Sequence, residues 1–183
     1  MNQNELDVLC DVSRRLESAD IAFMVTGSVA MTYYSKPRMT RDIDIVVALT
    51  QADAETIVSL FENDYYVDDL AVRRAIGARS IFNLIHNKTV IKVDCIVLKG
   101  SGYRQEEFER RERVTLGGFQ TWIVSREDLI LSKLYWARDS RSEMQLGDVR
   151  NLLLGPCDEG YLRSRAAQLG VSALLEEVLT EKE

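Results

Sequence analysis

Apolar residues in the first stretch of the chain recur at helical spacing. Val8, Leu9, Val12 and Leu16 fall on one stripe with charged residues between them, which predicts an amphipathic helix from Glu5 to Leu16. The period then changes. Ile21 to Val25 is a short apolar run ending at Thr26-Gly27-Ser28, after which Ala30, Met31, Tyr33 and Tyr34 suit a helix that Pro37 terminates: strand, tight turn, helix. Asp42 to Leu49 is rich in β-branched residues and reads as a buried strand, followed by a helix from about Ala52 to Phe61. A short strand near Tyr65 to Val67 and a helix near Leu70 to Ile76 come next. Ser80 to Ile85 and Thr89 to Leu98 flank His86-Asn87-Lys88 and predict a β-hairpin, so the sheet is at least partly antiparallel and a purely doubly wound sheet is disfavoured.

The second half opens on Tyr103 to Arg113, whose mixed charges predict a solvated helix. Gly117-Gly118 marks a turn, Phe119 to Val124 a strand, and Ser125-Arg126-Glu127-Asp128 has the form of a helix N-terminus. Helices follow from Glu127 to about Arg138, from Gln145 to Leu154, and from Glu159 into the tail. The expected fold class is therefore α/β of the α+β kind, a mixed β-sheet flanked by helices with a C-terminal helical extension. Residues 1–124 form its core and residues 125–183 a helical region packed on it.

Composition narrows the picture. With 183 residues and 46% hydrophobic content the chain suffices for one ordinary core. A formal net charge of −6 argues against coating nucleic acid by charge alone, since such binding needs many phosphate contacts. Cys10, Cys95 and Cys157 lack CxxC spacing and suggest neither a disulfide framework nor a zinc site, which fits a reducing cytoplasm. The N-terminus shows no basic region followed by an apolar stretch, and the longest apolar run, Ile43 to Leu49, is too short to span a bilayer, so a soluble protein without a membrane partner is expected.

The candidate chemistry lies in the acids. Asp42 and Asp44 are separated by one residue in a strand, so both carboxylates leave the same face while Ile43 and Ile45 leave the other. Asp94 repeats the pattern, sharing a face with Ile96 and Leu98, and joins the pair if the two strands are neighbours. Three carboxylates about 6 Å apart repel by roughly 2–3 kcal/mol per pair at an effective dielectric near 20, so a cation belongs there. Oxygen ligands without His or Cys favour Mg²⁺ or Mn²⁺, held together with substrate phosphates. Taken alone, an Asp-x-Asp is also a common way to open a strand at a solvent edge. Gly27-Ser28 supplies a phosphate-binding turn, because a glycine before a helix lets backbone approach the ligand and the helix start offers N–H groups; taken alone it is ordinary capping.

Outside these segments, Lys133 falls inside the apolar stripe Leu129, Ile130, Leu134 and Ala137 and needs an anion, either a phosphate or a structural partner such as Asp148. Arg38 and Arg41 flank the acids; Arg41 has the wrong strand parity, which leaves Arg38 as the phosphate candidate. His86 suits a structural role at a hairpin end, and Tyr33, Tyr34, Trp122 and Trp136 suit core positions better than base stacking.

Val25-Thr26-Gly27-Ser28, then Arg38-Met39-Thr40-Arg41-Asp42-Ile43-Asp44-Ile45, then Lys92-Val93-Asp94-Cys95-Ile96 together resemble the DNA polymerase beta-like nucleotidyltransferase superfamily. Its signature is Gly-Ser, an Asp-x-Asp and a third Asp on a later strand. The Arg-x-Thr-x-Asp-Ile-Asp with the late helix carrying Leu129, Lys133 and Arg138 looks like the minimal nucleotidyltransferases of abortive-infection and toxin–antitoxin systems. The resemblance spans roughly residues 20 to 153. It implies transfer of a nucleoside monophosphate from a nucleoside triphosphate such as ATP to a hydroxyl, with Gly27, Ser28, Arg38 and Lys133 binding nucleotide and Asp42, Asp44 and Asp94 holding two metal ions. It further implies an RNA end or protein as acceptor and an antitoxin as partner. A small-molecule (antibiotic) nucleotidyltransferase and a non-catalytic nucleotide-binding domain stay open beside it.

Overall fold

In the computed structural model, which describes residues 1–35, 42–100 and 102–180, the chain begins with α1 (Gln3–Ser18), β1 (Phe23–Thr26), α2 (Gly27–Tyr34) and β2 (Asp42–Val47). A 3-10 turn at Gln51–Asp53 leads into α3 (Ala54–Phe61), β3 (Tyr65–Tyr66), α4 (Asp69–Ala78), β4 (Ile81–His86) and β5 (Lys92–Val97). Then come α5 (Gly102–Glu109), β6 (Glu112–Leu116), β7 (Phe119–Ile123), α6 (Arg126–Ser140), α7 (Glu143–Leu153), α8 (Glu159–Leu169) and α9 (Ser172–Thr180). The strands form one mixed sheet in the order β3-β4-β5-β2-β1-β7-β6. Only β2 with β5 and β1 with β7 run parallel; the other neighbours are antiparallel. The mixed α+β architecture expected from the hydrophobic pattern is the one observed.

One expectation needs correction. The charged stretch up to Arg113 does not stay helical, because α5 ends at Glu109 and Glu112–Leu116 pairs with β7 as the last strand of the sheet. An edge strand tolerates Glu112 and Arg113 on its exposed positions, which conceals its alternation. Its hairpin turns on Gly117-Gly118, both at positive φ, between the paired residues Leu116 and Phe119. The tail from Glu159 is two helices, broken at Gly170, whose φ of 69° terminates α8.

The chain divides into two compact units, one comprising Met1–Ala30 with Arg38–Val124 and the other Met31–Pro37 with Ser125–Glu183. In the first, Val8, Leu9, Val12 and Leu16 of α1 are buried as the helical stripe requires, and the helix starts on a reciprocal Asn2–Glu5 capping box. Ser13 of α1 meets Thr121 of β7 through a buried hydroxyl pair at 3.1 Å. In the second unit, Leu129, Ile130, Leu134 and Ala137 of α6, Val149 and Leu152 of α7, Leu162 and Ala166 of α8 and Leu175 and Val178 of α9 make an apolar core. Ser125 caps α6 by accepting the Asp128 N–H, while its hydroxyl donates to the Asp128 carboxylate.

Arg15 ties α1 to the segment between α3 and β3. Its guanidinium donates to Asp11, to the Leu60 carbonyl at 2.8 Å and to Asp64 at 2.5 Å, and it lies over the rings of Phe61 and Tyr65. Tyr65 in turn donates its hydroxyl to Asp11 at 2.7 Å, and its phenol is pushed up by burial and by that hydrogen bond. Arg73, by contrast, pairs with Asp69 one helical turn away on an exposed surface. Arg15→Met is expected to lower unfolding free energy by about 2–3 kcal/mol, whereas Arg73→Met should leave the urea denaturation curve where it is, because its ion pair is exposed to solvent. Equal effects in the two variants would remove Arg15 as the tie.

Candidate functional site

Parallel pairing of β2 with β5 sets Asp42 opposite Lys92 and Asp44 opposite Asp94. On its other side β2 runs antiparallel to β1 with Asp44 opposite Thr26, the residue that precedes Gly27. Alternation does the rest. Ile43, Ile45 and Val47 of β2 and Val93, Cys95 and Val97 of β5 are buried, so Asp42, Asp44, Lys92 and Asp94 share the opposite, half-buried face. Neighbouring strands therefore bring together the three acids that parity alone placed on one face of each strand.

Gly27 completes the arrangement. Its φ is +61°, a backbone state costly for any residue with a side chain, and a Cβ added there would stand 2.0 Å from Oδ2 of Asp44. The Asp44 carboxylate thus occupies the space that every other residue at position 27 would fill. The backbone N–H of Ser28 donates to the same carboxylate. Strand end, glycine and helix start are fitted to one acid.

The electrostatics are unbalanced at that acid. Burial, then the neighbouring charges of Asp94 and Asp42, raise the Asp44 carboxyl to about 6, and the Ser28 N–H and the more distant Lys92 offset this only in part. The other two acids share a cation: Lys92 Nζ lies 3.2 Å from Asp42 Oδ2 and 3.0 Å from Asp94 Oδ2. These contacts, the hydrogen bond to Asp94 foremost, raise the lysine further above its ordinary range. Asn83, opposite Asp94 on β4, donates its amide to Asp94 Oδ1. Among the described residues no three Asp, Glu, His or Cys side chains already converge as a closed metal cage. The donor set nonetheless fits a hard divalent cation, because it consists of oxygen ligands and carries excess negative charge centred on Asp44.

Lys92 and Asn83 were not anticipated as site residues. Lys92 was legible in principle, since it has the strand parity of Asp94, but its partner Asp42 is set by the register of a parallel pair. Asn83 carries no sequence signal at all; only the hairpin register delivers it.

The remaining candidates divide. Lys133, in the second unit, is buried and donates to Asp148 at 2.6 Å, with Gln145 at 3.4 Å, so the chain itself supplies the anion that a lysine in an apolar stripe requires. Arg38 and Arg41 lie outside the described residues. His86 hydrogen-bonds Thr89 at 2.8 Å and packs against the Tyr65 ring, a structural role. Trp136 departs from the expected core position, being 70% exposed, because the apolar stripe of α6 runs through Ile130, Leu134 and Ala137 and leaves it outside.

The raised Asp44 carboxyl has a stability consequence. The folded state holds this proton more tightly than the unfolded chain does, so below about pH 4 the site costs nothing, and the penalty grows as pH rises through about 6. In metal-free buffer Asp44→Asn should match wild type near pH 3.5 and exceed it by about 3 kcal/mol near pH 7.5, read as the difference between two denaturation curves at each pH. A pH-independent difference would contradict the crowding of charge at Asp44.

No protein-family model and no curated protein matches the sequence. Solved structures do match the fold. An antigenic nucleotidyltransferase-like protein from Paracoccidioides brasiliensis superposes with a TM-score of 0.66 at 18% identity, over 100% of this chain and 90% of that one. The antibiotic-resistance factor ANT(2'')-Ia gives 0.61 at 14% identity, over 99% of this chain and 100% of that one. The lincosamide antibiotic adenylyltransferase LnuA, with lincomycin bound, gives 0.55 at 14% identity, over 83% and 96%. The acids, the glycine turn and the mixed sheet are thus set in a nucleotidyltransferase fold.

Proposed function

We propose that this chain is a metal-dependent nucleotidyltransferase that moves a nucleoside monophosphate from a nucleoside triphosphate to an acceptor hydroxyl and releases pyrophosphate. The observation that carries the reading is the seating of Asp44 on Gly27 and the Ser28 N–H, which joins a phosphate-binding turn to the carboxylates. The turn at Gly27 and Ser28 binds the outer phosphates through the first-turn N–H groups of α2 that remain besides the one given to Asp44, Asp42 and Asp44 would hold Mg²⁺ or Mn²⁺, and Arg38, on its place in the sequence alone, adds a further phosphate contact. A divalent ion bound there offsets the charge that develops on the phosphates and on the leaving pyrophosphate. Asp94 takes the proton of the acceptor hydroxyl. The hydroxyl oxygen forms its bond to the α-phosphorus as the bond from that phosphorus to the bridging oxygen breaks, and pyrophosphate leaves. Asn83 and Lys92, each on one carboxylate oxygen, hold Asp94 in orientation for this role.

For the acceptor we propose a macromolecular hydroxyl, an RNA end or a protein side chain, in a toxin or phage-defence setting with an antitoxin partner; the support is the sequence resemblance. A second reading, a small antibiotic as acceptor, is favoured by a specific observation. Arg73, Arg74 and Arg79 are the basic group that the sequence offers to RNA, and of these Arg73 is held by both oxygens of Asp69 and Arg79 donates to the Leu98 carbonyl. The net charge of −6 points the same way.

The test is pyrophosphate release by the purified protein with Mg²⁺ and each nucleoside triphosphate, in parallel with cellular RNA, with protein, and with an aminoglycoside or lincosamide. Asp94→Asn should keep its fold and lose turnover by on the order of 10²–10³. Release that is equal in wild type and Asp94→Asn would remove Asp94 from the chemistry.

A further inference from the structure

The face that holds the acids carries its own cation. Lys92 is placed by backbone register, directly across the parallel pair from Asp42 and two residues before Asp94 on the same strand face. Its ammonium is shared by one oxygen from each of those acids, at 3.2 Å and 3.0 Å. The second oxygen of Asp94 is taken by the Asn83 amide. Both oxygens of Asp94 are therefore engaged by donors of the chain itself, whereas Asp44 receives the Ser28 N–H and no direct contact from the lysine.

We infer that this site takes a single divalent ion, held by Asp42 and Asp44, and that the Lys92 ammonium stands at Asp94 in place of a second one. The inference deepens the nucleotidyl-transfer reading and rests on it. A second ion on Asp94 would have to displace the lysine from one oxygen or the asparagine from the other, and two closely spaced cations would then face the displaced ammonium. Lys92 acts in this scheme as a positioning residue. It fixes Asp94 as an acceptor of hydrogen bonds, and so of the incoming hydroxyl proton, rather than as a metal ligand.

The experiment is a titration of Mn²⁺ into the full chain without nucleotide, with free Mn²⁺ read by electron paramagnetic resonance and folding of each variant checked by circular dichroism. Wild type should bind one Mn²⁺ per chain, Lys92→Met two, and Lys92→Arg, which keeps the charge, one. Lys92→Gln, a polar replacement without the charge, should behave as Lys92→Met does and guards against a misfolded apolar variant. Two ions on wild type, or one ion still on both folded uncharged variants, would overturn the inference while leaving the metal reading intact. Asp44→Asn should abolish the single wild-type site. No Mn²⁺ bound by wild type would overturn the metal reading itself, and this inference with it.

Discussion

The Asp44 carboxylate lies where the side chain of any residue other than glycine at position 27 would have to be. That contact constrains the rest of the first unit. It demands the antiparallel register of β1 and β2 that sets Thr26 against Asp44, a left-handed backbone at Gly27, and a helix that starts immediately so that Ser28 can donate its N–H. The parallel register of β2 and β5 then brings Asp94 and Lys92 alongside. A short strand that packs Ile43, Ile45 and Val47 into the core on one face thus presents like charges on the other. The arrangement is unfavourable by itself, and the apolar face offsets it.

Much of this was legible in the sequence because period two is a strong signal. Asp42, Asp44 and Asp94 stand in runs of β-branched residues whose parity can be counted, and Thr26-Gly27-Ser28 interrupts an apolar run with the residue types a strand-to-helix turn needs. The hairpin of β4 and β5 followed from two apolar runs around His86-Asn87-Lys88. Strand β6 was hidden by the charges that an edge position tolerates, so a mixed-charge segment read as helix throughout. Lys92 and Asn83 depend on register between strands distant in sequence or on hairpin geometry, which no local pattern encodes. The lesson is that parity finds the acids and only pairing finds what surrounds them.

The second unit illustrates the same division. The stripe of α6 predicted that Lys133 faces apolar surroundings, and it does. Which anion it meets is a matter of how α6 and α7 pack, and Asp148 lies one helix away at 2.6 Å. Both partners are nearly excluded from water, so their attraction works against a large desolvation cost and secures the pairing of two helices more than it adds net stability. The first unit uses its charges differently: Asp42 and Lys92 are each more than a third exposed.

Nucleotidyl transfer at this site requires that the α-phosphorus of the nucleotide is the one attacked. Nucleoside triphosphate labelled at the α-phosphate and, separately, at the γ-phosphate should be incubated with the protein, Mg²⁺ and each acceptor class. Transfer of the α-label to an acceptor, with the γ-label recovered as pyrophosphate, is the result predicted. Transfer of the γ-label, or loss of it as inorganic phosphate while the α-label stays on a nucleoside diphosphate, would contradict it.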